Sequence, residues 1–161
     1  MSHSNIESIA KAAKKITKEN ERRSRILDVI DELLEERQQM LVCFCEVAGL
    51  DSADEETQNV LAQLRHLNQL LVDYSALGHF EIYNRIIDGK ERREAANKVA
   101  DKVYGDIERT TEIFVAFNDK YEGADSEDSI TDLHQDLSKI GECLALRIDG
   151  EDQLLKELGK R

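Results

Sequence analysis

The chain has 161 residues, a formal net charge of −12, no proline, no tryptophan and three cysteines. That length suits one domain with a core needing no staples, and the odd thiol count argues against a disulfide framework. There is no run of about 18 apolar residues and no apolar leader, so we expect a soluble cytoplasmic protein with no membrane contact.

The charge is uneven. Residues 1–25 hold seven Lys/Arg against three Asp/Glu, a net +4, and the remaining 136 hold 15 against 31, a net −16. A body this acidic repels phosphate and attracts basic partners, so no direct nucleic-acid binding is expected. Two meanings stay open for that charge: plain solubility, or a partner with a basic surface such as a DNA-binding module.

Residues 1–20 read as a basic N-terminal segment and 21–161 as a helical bundle domain. Ile6, Ile9, Ala13 and Ile16 line one face of the basic segment, with Lys11, Lys14, Lys15 and Lys18 elsewhere. It is short and poor in apolar residues, which predicts a frayed or docked first helix. The second helix, about 21–47, follows Ile26, Val29, Leu33, Met40, Phe44 and Val47 at helical spacing and stops at Gly49. Cys43 and Cys45, two apart, point to opposite sides, and buried reduced thiols are expected.

An acidic turn over 51–56 leads to the third helix, about 54–87, with Ser52 or Asp54 as its cap. Gly78 interrupts that helix, at about 1 kcal/mol relative to alanine, which suggests a bend or the close approach of another chain. Asp88-Gly89 ends it. The fourth helix covers about 90–121 and the fifth about 127–158. No alternating apolar run competes with this pattern, so the fold class is all-α: an antiparallel four-helix bundle with an additional short N-terminal helix.

Little chemistry is legible. A di-metal bundle needs Glu-x-x-His pairs on one face. The residues three before His66, His79 and His134 are Gln63, Ala76 and Thr131, so no metal site is expected. No phosphate-binding glycine loop, nucleophile elbow or zinc spacing is present, which argues against an enzyme and against a bound cofactor.

The informative stretch is Leu71-Val-Asp-Tyr-Ser-Ala-Leu-Gly-His-Phe-Glu-Ile-Tyr83. It concentrates three of the chain's eight aromatic residues within ten positions. Polar residues also interrupt apolar faces at Asp73, Tyr74, His79, Asn118, Asp119, Glu142 and Arg147. Two meanings stay open for them. One is a buried polar network that sets helix register. The other is a partner surface: Asp73, Ala76, Phe80 and Tyr83, spaced i, i+3, i+7 and i+10, form a stripe of carboxylate, small residue and aromatics.

Several segments, taken in order, resemble the Rsd/AlgQ family of bacterial anti-sigma factors, with the AlgQ branch nearest. They are Glu36-Arg-Gln-Gln-Met-Leu-Val-Cys-Phe-Cys45, Leu71-Val-Asp-Tyr74 and Gly78-His-Phe-Glu-Ile-Tyr83. Phe117-Asn-Asp119, Leu133-His134, Ile140-Gly-Glu-Cys-Leu144, Arg147 and Glu151-Asp-Gln-Leu154 complete them. The resemblance spans about residues 27–158. It implies a helical bundle with a polar-lined interior, and binding to region 4 of the primary sigma factor, the module that reads the −35 promoter element. Sequestering region 4 would block promoter contact and docking on core polymerase.

The family's sigma-contacting aspartate and phenylalanine match Asp73 and Phe80. Where the family has Asp-Arg-Trp, this chain has Asp31-Glu32-Leu33, without the large ring. Its Tyr74-Ser-Ala-Leu-Gly-His-Phe80 places Ala76 where the family has a serine. Asp31, Arg37, Tyr74, His79, Glu142, Arg147, Glu151 and Asp152 are expected to serve the polar interior or to support it. A monomer or weak homo-oligomer is expected. Two other function classes stay open: a regulatory module whose main partner is a phosphocarrier or other signalling protein, and an enzyme or ligand carrier using the bundle interior.

Overall fold

A computed structural model describes residues 3–50, 56–87 and 94–159. Helix α1 spans His3–Ala48 and α2 spans Thr57–Gly78. A π turn, His79–Tyr83, joins α2 to the single turn α3, Asn84–Ile87. Helix α4 spans Glu94–Tyr121, and a 3₁₀ turn, Glu127–Ile130, precedes α5, Leu133–Leu158.

The fold is all-α. Four long rods, with α2 and α3 counted as one rod carrying a π turn, pack as a ring: α1 on α2, α2 on α4, α4 on α5, and α5 back on α1. Each rod turns a stripe at helical spacing inward, among them Leu33, Met40 and Val47 of α1 and Leu64, Leu67 and Leu71 of α2. Ile107, Phe114 and Tyr121 of α4 meet Leu137, Ile140, Leu144 and Leu154 of α5. Each such large side chain stabilises the fold by roughly 1.5–3 kcal/mol over an exposed one. At Gly150 an added Cβ would meet the Val103 Cβ at 3.2 Å, so a side chain there would push α4 and α5 apart.

The N-terminal helix expected over residues 1–20 is helical from His3, and it runs unbroken into the first bundle helix. No glycine or proline lies between His3 and Ala48 to stop it. Bundle packing begins only at Arg22 and Arg23, whose guanidinium (Arg23) donates to the Gly159 carbonyl at 2.7 Å. Every residue from 5 to 21 is exposed, so about 25 Å of helix projects past the bundle.

Helix α1 stops where Gly49 was expected to stop it: the Gly49 N–H donates back to the Cys45 carbonyl at 2.9 Å. The caps at Ser52 and Asp54 and the Asp88-Gly89 terminus lie outside the described residues. The three thiols are free: Cys43 and Cys143 are buried, while Cys45 is exposed, a correction to the expectation of three buried thiols. Burial pushes both inner thiols above the usual thiol range. At the far end of the bundle, Lys120 and Tyr121 of α4 both donate to the Asp136 carboxylate of α5, at 2.6 and 2.5 Å.

Candidate partner-binding surface and the polar core behind it

Asp73 and Phe80 lie seven residues apart, within about 20° of each other on an α-helix. Both are exposed, Phe80 at 67%, the highest value for a large apolar side chain among the described residues. The Phe80 ring meets the His79 ring edge-on at 5.0 Å. Asp73 accepts a hydrogen bond from Gln69 at 2.9 Å, which leaves carboxylate acceptor capacity facing solvent. Ala76 between them is half-buried.

The field around Asp73 is negative. Burial, and then the neighbouring Asp73, Glu32 and Glu35, push the Glu36 carboxyl of α1 above its ordinary range. Carboxylates crowded in this way favour a cation brought alongside.

Tyr83 does not lie on this surface. It is 4% exposed and its hydroxyl donates to Glu151 Oε1 at 2.9 Å. The π turn over His79–Tyr83 is the reason. A π turn takes an extra residue per turn, so the register slips by about one residue and swings Tyr83 off the Asp73 side. On an unbroken α-helix Tyr74 and Tyr83, nine apart, would point in opposite directions. The slip lets both reach the same carboxylate.

That carboxylate, Glu151, is the centre of a buried polar core. Its Oε2 accepts from the Tyr74 hydroxyl and from Arg37 Nη2 at 3.1 Å. Its Oε1 accepts from Tyr83 and from Arg147 Nε at 2.9 Å. Four donors fill the four acceptor positions of one carboxylate. Arg37 also donates through Nε to the Tyr74 oxygen at 3.2 Å and through Nη1 to Asp152 at 2.6 Å. Asp152 stands at the rim, its side chain 57% exposed.

Arg147, fully buried, donates through Nη1 to the hydroxyls of Thr111 and Thr110 at 2.7 and 3.2 Å. Its guanidinium lies 5.5 Å from the Tyr74 ring centre and 5.6 Å from that of Phe114. Two arginines thus face Glu151 and Asp152, and every one of the four rods contributes. Burial, and then the Glu151 carboxylate, push both the Tyr74 and the Tyr83 hydroxyl above the usual phenol range, so both stay protonated donors.

Gly78 borders this core. An added Cβ would lie 3.3 Å from the Tyr83 ring, and 3.6 Å from both Arg147 Nη2 and Glu151 Oε1. The close approach expected there comes from the chain's own α5 and from Tyr83.

Of the expected interior residues, Arg37, Tyr74, Arg147, Glu151 and Asp152 meet. Asp31, His79 and Glu142 do not: all three are exposed. Asp31 and Glu142 sit on outer helix faces, and His79 packs on Phe80 outside the core. Asn118 is half-buried and Asp119 exposed. Tyr83, Thr110 and Thr111 belong to the core without having been expected there. Thr110 and Thr111 carry a faint signal, as β-branched polar residues inside a helix whose hydroxyls need a partner. The π turn carries none.

Among the described residues no group of three or more His, Cys, Asp or Glu could hold a metal ion, and no helix is long and apolar enough to cross a membrane.

A family model described as "Regulator of RNA polymerase sigma(70) subunit, Rsd/AlgQ" matches residues 12–159. The chain belongs to the Rsd/AlgQ family. Its relatives in that family include a protein named Regulator of sigma D from Yersinia pseudotuberculosis serotype O:1b, 35% identical over 132 residues that cover 80% of this chain and 78% of the relative. One of the same name from Yersinia enterocolitica is 36% identical over 132 residues, covering 80% and 79%. Another, from an Enterobacter species, is 33% identical over 131 residues, covering 79% and 78%. The Rsd/AlgQ match begins inside the exposed arm of α1 and runs through every element of the bundle.

Proposed function

We propose that this protein is an anti-sigma factor that binds region 4 of the primary sigma factor and holds it away from the −35 promoter element and from core polymerase. The observation that carries this is the pairing of an exposed Phe80 with an exposed Asp73 on one face, at the two positions that match the family's sigma-contacting residues. Phe80 supplies an apolar anchor of the kind that dominates interface energetics. Asp73 pairs with an arginine or lysine that would otherwise meet promoter phosphate. The crowded carboxylates around Glu36 and the acidic body speed encounter with a basic helix-turn-helix module and select against acidic ones.

Tyr83 has no direct part in this interface. It holds the π turn against Glu151, and so fixes the direction in which Phe80 points. The test is a pull-down of the cognate region 4 by wild type, Asp73→Ala and Phe80→Ala. Capture by wild type and loss by both variants is the expected outcome. Equal capture by all three places the interface elsewhere.

A further inference from the structure

The first half of α1 sorts its side chains by charge. Of the seven Lys/Arg in residues 11–25, six fall within an arc of about 100° at 3.6 residues per turn: Lys11, Lys14, Lys15, Lys18, Arg22 and Arg25. The seventh, Arg23, is turned away from them and donates to the Gly159 carbonyl at 2.7 Å. All six are exposed except Arg22, which is half-buried. Glu21 flanks the row, Glu7 precedes it by one turn and Glu19 lies outside it, so residues 11–25 keep seven cations against two carboxylates. The row is about 21 Å long. Ile9 and Ile16 stand on the opposite side of the helix.

The acidic body does not cancel this row. At the root of the arm, the Arg23–Gly159 hydrogen bond and the close packing of Gly150 on Val103 bring the end of α5 and the first turns of α4 alongside. Residues 94–105 hold two cations and two carboxylates, and residues 153–159 hold one of each. The carboxylates of α1 resume only at Asp28, about 15 Å along the helix from Lys18 and about 25 Å from Lys11. Salt screens charges farther apart than about 8 Å at physiological ionic strength. The expectation against nucleic-acid contact rests on the acidic body, and the arm carries the opposite sign at a distance from it.

We propose that the basic row of α1 binds the phosphate backbone of duplex DNA. A duplex presents one negative charge per about 1.7 Å of its axis, so every cation of a straight row finds a phosphate, which the scattered carboxylates of a protein surface do not offer. A bare helix fits the major groove of B-form DNA, about 12 Å wide, and not the narrow major groove of duplex RNA. Single strands are held by aromatic side chains on which bases stack, and the row has none. It also has no Asn or Gln to read base edges, so binding is independent of sequence. On a membrane surface the isoleucine side would face the lipid and turn these cations away from the head groups. The row uses neither Asp73 nor Phe80, so DNA binding stands or falls independently of sigma binding.

The test is fluorescence anisotropy of a labelled DNA duplex of mixed sequence, titrated with the full chain at several salt concentrations. Wild type should bind at about 50 mM salt and weaken about a thousandfold by about 200 mM, a log–log slope near −5. Lys11→Ala/Lys14→Ala/Lys15→Ala/Lys18→Ala leaves two cations of the row, so its slope should fall to about −2 and its affinity at about 50 mM salt by more than tenfold. The four positions are exposed and outside the core, so an unchanged unfolding temperature shows that this variant is folded. Absence of wild-type binding at about 50 mM salt and about 0.1 mM protein, or a fourfold variant that binds like wild type, overturns the proposal. So does displacement of the DNA by duplex RNA or by polyglutamate as readily as by unlabelled DNA. Tighter binding to phosphatidylglycerol vesicles than to DNA, abolished by Ile9→Asp/Ile16→Asp, overturns it in favour of a membrane.

Discussion

The Tyr83 hydroxyl donates to Glu151 Oε1 at 2.9 Å, across 68 residues of chain, and by doing so it ties the π turn to the centre of the bundle. The same carboxylate holds Tyr74, Arg37 and Arg147. The surface that carries Phe80 and the core that carries Tyr83 are therefore two sides of one five-residue turn.

Glu151 is the member whose loss should cost most. Glu151→Gln removes the charge that two guanidiniums face and puts an amide donor where the site supplies only donors. Breaking a buried ion pair by removing one partner costs about 3–5 kcal/mol. Urea denaturation of the two proteins should show a midpoint shift of that size. A loss under about 1 kcal/mol would mean that the network does not support the fold.

Tyr83→Phe should separate stability from binding. It deletes one hydrogen bond to a charged group, worth about 1.5–3 kcal/mol, and keeps the ring. Unfolding should become easier by that amount while affinity for region 4 changes less than about twofold, within the scatter expected of a residue outside an interface. Phe80→Ala should do the reverse, because its ring is exposed and supports nothing in the core.

Gly78 marks how tightly α5 approaches α2. Gly78→Ala gains about 1 kcal/mol of helix propensity but asks the Tyr83 ring, 3.3 Å from the new methyl, to give way slightly, so its net effect should be small. Gly78→Leu has nowhere to go but into Tyr83, Arg147 and Glu151. It should destabilise by about 1–3 kcal/mol or more, read by thermal unfolding.

Stability should fall at alkaline pH. Tyr74 and Tyr83 titrate in the unfolded chain near the ordinary value of 10.0, and in the folded protein burial and Glu151 raise both above it. Their contribution is therefore complete below about pH 10 and is lost as pH rises beyond it. Each tyrosine contributes a slope of about 1.4 kcal/mol per pH unit. Urea midpoints at pH 9 and pH 11 should show this drop in wild type. The double variant Tyr74→Phe/Tyr83→Phe should lose most of it.

Much of this was legible from residues alone, and the misses have physical causes. Apolar spacing located the four rods because helical bundles are built on that period. Tyr74 and Arg147 are recognisable as polar groups that interrupt an apolar face, whereas Arg37 and Glu151 are expected in the interior only from the family resemblance. Tyr83 is not expected there, because a π turn leaves no compositional trace and a spacing of ten assumes unbroken α-helix. Asp31 is expected inside from the family resemblance, and His79 and Glu142 because they interrupt apolar faces, yet each is exposed, and neither a motif nor a spacing specifies which way a side chain points. The continuity of α1 past residue 20 was hidden by a shift in charge, which changes the surface of a helix without breaking it.

If Asp73 and Phe80 form the proposed sigma-binding face while Tyr83 stands behind it, region 4 should distinguish substitutions at the three positions. The most direct measurement is isothermal titration of the cognate region 4 into wild type, Asp73→Ala, Phe80→Ala and Tyr83→Phe, with each protein's folding checked by its unfolding transition. Phe80→Ala and Asp73→Ala should each weaken binding by more than about tenfold, or roughly 1.4 kcal/mol, with Tyr83→Phe close to wild type. Tight binding retained by both alanine variants, or lost in a folded Tyr83→Phe protein, would contradict it.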